Sequence, residues 1–383
     1  MHNKVARIGD VDALRGIALL GILQVNILAF SSVYYGTGLP SPVASSASTL
    51  LVKLFISIIF ELKFYLIFSF LFGYSFTLQV RSAEKAGASF PTRFLRRQAG
   101  LLVIGLAHAA LLFHGDILVT YAVLGLGLLW ARGLSDRRQV QIAAGLIFTC
   151  SALWALLAML QWESMGTQSA TFSPAEGIAA LSAYRGDFTG IVGQHIRDWA
   201  ATVPLLVLVQ APCAFAMFLF GNVAGRRQLL ARPESFRHYL RPVLGYGIAL
   251  GMPGAFLYAV ATQLAAGTPW ETAGLAVSIL TAPLLAAAYI ALILGAFQRI
   301  RGGKLYDWLV NAGRTALSNY LLQSVLCGAI FYGFGLGLID RLDMLPVVCI
   351  AWAIFFAQLA VSTLWLRAFR QGPVEWLLRF VTR

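Results

Sequence analysis

Apolar positions run along the chain in about ten stretches. Each is close to the roughly 20 residues a helix needs to cross a hydrocarbon layer. They fall near residues 15–35, 49–80, 98–114, 116–132, 139–161, 201–223, 242–264, 273–297, 315–338 and 345–366. The runs are continuous rather than alternating, which selects helices over the strands of a barrel. The second run is long and carries Glu61 and Lys63, so it predicts one crossing preceded by a short interfacial or re-entrant piece around 49–60. The pattern predicts an all-α fold: a polytopic membrane protein with about ten transmembrane helices. It forms a single domain over residues 1–383, because no polar stretch is large enough to bury a core of its own.

The connections differ in kind. Gly36 to Ser48 is rich in Gly, Pro and Ser and carries no charge. Residues 163–200 hold a helix start at Ser173-Pro174-Ala175-Glu176, with Ser as N-cap and Pro at the first helical position. Ile178, Leu181, Phe188, Ile191 and Ile196 give this segment an apolar side, which predicts a helix lying on the membrane or lidding the bundle. Residues 372–383 read as a short interfacial helix begun at Pro373 and anchored by Trp376 and Arg379. The glycines between Phe331 and Leu338 predict close helix approach.

Composition sharpens the class. The chain is 59% hydrophobic and 12% charged, where soluble domains carry about a quarter charged residues. Mean hydropathy is +0.75. The net charge of +13 is a topology signal rather than a nucleic-acid footprint, because Lys and Arg alternate between connections. One set, from Lys4, Arg7 and Arg15 through Arg367, Arg370, Arg379 and Arg383, holds most of the 29 basic residues; the other holds Arg185, Arg197 and Arg341. Basic connections face the cytoplasm, so both termini are cytoplasmic. The first run reads as a retained span, since no small-residue cleavage site follows it. Cys150, Cys213, Cys327 and Cys349 stand singly in apolar runs, which argues for buried hydrophobes and against metal or disulfide roles.

Ionisable groups at such depth need a reason. His114, Gly115 and Asp116 form the tip of a tight hairpin between two spans. Asp116 either orients His114 as a general base or caps the next helix at Leu118 or Val119. His108, about 9 Å deeper along the axis, reads as a helix–helix hydrogen-bond partner or as part of a polar path. Glu61 and Lys63, two positions apart, point in different directions and each needs a partner elsewhere. Arg15 opens the first span beside Asp10 and Asp12 and either holds a phosphate or anchors topology; Asn26 lies further along as a polar group in need of a partner. Arg314, Ser318, Asn319 and Gln323 form a polar stripe entering the ninth span, suited to binding a headgroup or to joining helices. No phosphate-cradling Gly loop, zinc-ligand spacing or serine-hydrolase elbow is present. Any chemistry is therefore assembled between spans.

Several stretches together resemble the YeiB-like family of bacterial membrane proteins. They are Arg7 to Gly16, Phe60 to Phe64 with Phe68 to Gly73, Gly115 to Leu118 with Tyr121-Ala122, Gly313 to Ser324, and Gly372 to Trp376. The family is distantly similar to transmembrane acyltransferases of the heparan-sulfate glucosamine N-acetyltransferase type. The resemblance implies a multi-pass protein of the bacterial inner membrane. It implies an acyl-CoA such as acetyl-CoA as donor from the cytosol, an outward-facing envelope glycan or lipid as acceptor, no metal, and Tyr121 among the site residues. In those acyltransferases a catalytic His precedes the second span. Tyr35 to Ser48 holds none, so His114 with Asp116, or Glu61, takes the role, while Arg15 and Arg314 attract donor phosphates. Two other readings stand beside transfer: a transporter or lipid translocator using Glu61, Lys63 and His108, and a non-catalytic protein that binds membrane lipids. An oligomer is compatible with each.

Overall fold

The computed structural model describes residues 9–37, 46–87, 89–164, 173–231 and 233–382, with the backbone alone at 233–238. Lys4, Arg7 and most of the Gly/Pro/Ser-rich connection therefore lie outside the described residues. Among those described, every regular element is helical. The helices are α1 (Gly9–Ser31), α2 (Ala47–Ile59), α3 (Phe64–Lys85), α4 (Phe90–Leu111), α5 (Leu118–Ala131), α6 (Asp136–Glu163), α7 (Pro174–Arg185), α8 (Phe188–Leu205), α9 (Ala211–Arg226), α10 (Pro233–Leu264), α11 (Pro269–Ile300), α12 (Lys304–Arg314), α13 (Ala316–Phe331), α14 (Met344–Ala368) and α15 (Pro373–Val381). Seven segments are long and apolar enough to cross a membrane, and α5 and α13 are shorter apolar helices. Each of the ten predicted runs is a helix or a pair of helices.

α1 is apolar on all sides and most of its residues are buried, which makes it the axis of the bundle. It packs against α3, α11, α12, α13 and α14. α3 lies along α9, α10 along α11, and α4 pairs with α5 and α8. The α3–α9 crossing is backbone on backbone. A Cβ on Gly73 would sit 2.0 Å from the Phe218 carbonyl oxygen, and one on Gly221 2.0 Å from that of Phe70. Outward faces are oily: Phe148, Leu153, Leu156 and Leu160 on α6, and Phe356, Val361 and Leu364 on α14, are exposed. Apolar surface on this scale belongs against lipid.

The start of α1 and α15 lie at one end. Asp10 accepts from Tyr306 at 2.6 Å and from Arg301. Glu375 of α15 accepts the backbone N–H groups of Leu317 and Ser318 at 2.7 and 3.1 Å. α13 thus begins on a carboxylate delivered by the tail, and this end carries the basic connections.

One detail follows the sequence reading and two differ from it. The second run is broken as its charges predict: α2 ends at Ile59 and α3 starts at Phe64, with Leu62 between them at φ 63°. Leu62 is a non-Gly residue in the left-handed region, a conformation that its surroundings must enforce. Residues 163–200 are not one surface segment. α7 starts at the predicted Ser173 N-cap, which Glu176 completes as a capping box, but α8 begins at Phe188 and continues through a π-helical turn, Leu206–Gln210, into α9. Pro204 and Pro212 explain the irregularity, since neither donates a backbone N–H. The Leu208 carbonyl, left by Pro212, accepts the Cys150 thiol at 3.2 Å. That thiol also meets Cys213, so two of the four cysteines are neighbours rather than isolated. Lastly, α13 ends at Phe331, and the glycines beyond it shape a turn rather than a helix crossing. Gly333 N–H donates to the Tyr184 carbonyl at 2.8 Å, and Asp340 N–H to that of Ser31 at the same distance.

Candidate functional site

α4 ends where the amides of Leu112 and Phe113 both turn back to the His108 carbonyl, each at 2.9 Å. The chain then reverses over residues 112–117. Gly115 has no positive φ; its missing side chain makes room for the Phe113 ring, which a Cβ would meet at 2.5 Å. The reversal brings Asp116 back beside α4. Its Oδ2 accepts the Val119 amide at 2.7 Å and so caps α5, as one of the two sequence readings has it. Its Oδ1 lies 2.7 Å from His108 Nδ1. Asp116 therefore orients His108 and not His114.

The other ring nitrogen of His108 meets α13. Nε2 lies 2.8 Å from Ser324 Oγ. An ionised Asp116 accepts only, so Nδ1 carries the proton, Nε2 is the acceptor and Ser324 donates. Serine, imidazole and carboxylate then form one hydrogen-bonded chain, the arrangement by which a base is held in one tautomer to receive a hydroxyl proton. The His108 and Asp116 side chains are fully buried, and Ser324 is 3% exposed. The Tyr320 ring covers the imidazole, with centroids 5.0 Å apart. Ser324 extends the polar stripe on α13 by one position, yet the sequence reading gave it no role.

His114 sits at the end opposite the termini, in a second cluster. Its Nδ1 is 3.4 Å from Tyr184 Oη and 4.0 Å from Asp198 Oδ2. Tyr184 donates to Asp198 at 2.6 Å, and Gln194 donates to the other oxygen at 2.7 Å. His195 adds contacts to the Ala110 carbonyl and the Tyr332 hydroxyl, each at 3.3 Å. Tyr184 and Tyr332 stack at 4.8 Å. Burial lowers the His114 pKa, with Asp198 pulling the other way, and burial raises that of Tyr184, which keeps its proton for Asp198. His114 and Asp198 retain 18% and 21% side-chain exposure, so solvent reaches this cluster. Tyr184, His195 and Asp198 were missed by sequence. Gln194, His195 and Asp198 share a helix face, a signal hidden beneath the apolar positions of the same segment.

Glu61 and Lys63 occupy the break between α2 and α3, 7% and 0% exposed. Glu61 accepts from Tyr35 and from Tyr258 of α10. The Glu61 amide, which would serve the Ser57 carbonyl in a continuing helix, bonds Ile56 instead; Lys63 Nζ takes the Ser57 carbonyl at 2.7 Å. Lys63 thus caps the C-terminus of α2, where a cation also meets the negative end of the helix dipole.

The remaining predicted residues join helices. Tyr121 bonds Ser69 at 2.6 Å and the Tyr65 carbonyl at 3.0 Å. Asn319 donates to Ser362 at 2.9 Å, and Gln323 to Gln358 at 2.9 Å, fastening α13 to α14. Ser318 bonds Glu375 of α15. Arg15 is held by Asp12 and by Ser75 of α3. Arg314 donates to Asn311 at 3.3 Å and to the Arg370 carbonyl at 3.2 Å. Asn26 is half-buried; Gln24 of the same helix is fully buried, and its amide oxygen and nitrogen have no partner among the described residues.

Fold and site define a polytopic helical membrane protein with a closed Ser–His–Asp relay in its interior and an imidazole–carboxylate cluster at one end. Comparison with known proteins gives the family. The chain is 32% identical to "Uncharacterized protein YxaH" of Bacillus subtilis, covering 98% of this chain and 94% of the relative. It is 30% identical to "Uncharacterized protein YeiB" of Escherichia coli, covering 97% and 95%. The family described as "Protein of unknown function (DUF418)" matches residues 224–383. The chain belongs to this YeiB-like family. No solved structure matches it.

Proposed function

We propose that the protein is a transmembrane acyltransferase, moving an acyl group from a cytosolic acyl-CoA to an outward-facing hydroxyl or amine on an envelope glycan or lipid. The observation that carries this reading is the Ser324–His108–Asp116 chain, closed at 2.8 and 2.7 Å on three separate segments. His108 replaces His114 as the base. Ser324 Oγ attacks the thioester carbonyl while His108 Nε2 takes its proton; the C–S bond breaks and the thiolate leaves with that proton. The acceptor then attacks the seryl ester, gives its proton to His108, and Ser324 is released protonated. Holding the acyl group on Ser324 between the two half-reactions lets donor and acceptor approach from different sides, in turn. His114 and Asp198 lie where an acceptor from the far side would arrive.

The test is incubation of the purified protein with acetyl-CoA labelled in the acetyl group. Wild type is expected to hydrolyse the donor slowly and to carry a base-labile label, which Ser324→Ala abolishes and Asp116→Asn slows. Neither donor turnover nor label in wild type would overturn the proposal.

One observation favours a second reading, transport. Membrane carriers place their sites at broken helices lined with buried charge, and the α2–α3 break with Glu61 and Lys63 has that form. Proton-coupled flux in liposomes, lost in Glu61→Gln and intact in Ser324→Ala, would favour it over transfer.

A further inference from the structure

At the end where α1 begins, α12 and the last turns of α14 line an open cleft of about 300 Å³. Neither the relay nor the His114 cluster touches it. Three cations line it: Lys304, Arg314 and Arg367. Asp307 is the one acidic group on its wall, which leaves the cleft net positive. Trp308 and Leu366 supply apolar surface, and Thr363 and Asn311 supply polar groups. α12 lies with Tyr306, Leu309, Ala312 and Gly313 buried against the bundle, so its polar side forms the cleft wall.

The surroundings say what chemistry fits. Above the cleft, α14 shows Phe356, Val361 and Leu364 outward; at its level, beside Arg367, Trp365 stacks on Phe369 at 4.2 Å; beyond it comes Arg370. That sequence of apolar, aromatic and basic side chains marks the boundary between hydrocarbon and headgroups. A basic pocket at this depth meets the phosphates of one leaflet. The volume is at the lower end for a ligand pocket and suits a headgroup. Arginine forks bind phosphate oxygens in pairs, and a lysine adds a point charge.

We infer that the α12–α14 cleft is a binding site for the phosphate headgroup of an anionic phospholipid, whose acyl chains run along the outer face of α14. The site is independent of acyl transfer. It would fasten α12, the helix that packs on the start of α1, to the membrane surface.

The experiment uses the full chain, delipidated in neutral detergent and titrated with phosphatidylglycerol or phosphatidylcholine, with bound lipid counted by native mass spectrometry. Wild type is expected to retain one phosphatidylglycerol at least tenfold more tightly than phosphatidylcholine. Lys304→Gln/Arg367→Gln is expected to lose that preference. Arg137→Gln/Arg138→Gln, which removes the same charge elsewhere on this end, is expected to keep it. Lys304→Gln alone, a change at the exposed rim, should weaken binding several-fold and covers the case in which the double variant does not fold. Equal binding by the cleft variants and the control would overturn the site. Displacement of the lipid by coenzyme A would overturn the lipid assignment.

Discussion

Asp116 reaches back eight residues to His108, with 2.7 Å between Oδ1 and Nδ1, while its other oxygen holds the first turn of α5. One carboxylate therefore fixes both an imidazole tautomer and a helix start. The cap and the Nδ1–H each need an acceptor oxygen, and an asparagine has one; Asp116→Asn that keeps the cap can face the imidazole only as a donor to Nδ1, in the tautomer that no longer accepts from Ser324. The expected loss is about 1–3 kcal/mol, read from thermal unfolding in detergent. Ser324→Ala, which removes only the outer donor, should cost about 1 kcal/mol. An Asp116→Asn protein that melts with wild type would show that the carboxylate does not hold both groups.

The α2–α3 break predicts coupled behaviour. Lys63→Met leaves Glu61 buried without a nearby cation, and Glu61→Gln leaves the Lys63 ammonium without its counter-charge. Each should cost on the order of 3 kcal/mol. The double variant should cost less than the sum by about 1 kcal/mol or more, since neighbours that share an electrostatic site do not add. Strict additivity in a double-mutant cycle would mean the two charges ignore each other.

His114 gives a pH dependence whose sign can be worked out. Burial lowers its folded-state pKa from 6.5. Above that value the ring is neutral in both states and its contribution is fully present. As pH falls below 6.5, the unfolded chain takes the proton first, so stability drops until the folded ring also titrates. Melting temperature measured from pH 7.5 down to 5.5 should therefore fall more steeply in wild type than in His114→Gln. Asp198, Tyr184 and His195 face the ring and remain in both proteins. Parallel curves would place the pH response elsewhere.

The glycine crossings predict opposite outcomes for one kind of change. Gly221→Ala and Gly73→Ala push a methyl into a neighbouring carbonyl and should destabilise by about 1–3 kcal/mol or more. Gly145→Ala in α6 meets open space and should be neutral or stabilising by up to about 1 kcal/mol, from helix propensity alone. Equal effects at Gly221 and Gly145 would contradict the α3–α9 packing.

The helices were legible because lipid imposes one rule on every span: apolar side chains outside and a self-satisfied backbone within. Even the start of α7 at the Ser173 cap could be read from four residues. The relay was half legible. His108 and Asp116 stand out as ionisable groups at depth, and the cap on α5 is one of the two roles the sequence offers Asp116; the other, orienting His114 two residues away, is not the contact formed. The extra amide turning to the His108 carbonyl at the end of α4 decides otherwise, and nothing in the residue types announces it. Ser324 was not chosen because a serine in an apolar helix looks the same whether it faces a histidine or its own backbone. Tyr184, His195 and Asp198 come together only once α7 folds back on α8. That contact is made directly by the Tyr184 hydroxyl on Asp198, and no periodicity encodes it.

Glu375 supplies the carboxylate on which α13 begins, and it follows the first of those amides by 58 positions. Until α15 has been synthesised and has docked, the opening turn of that helix lacks this partner, and Ser324 stands on a segment whose near end is unsecured.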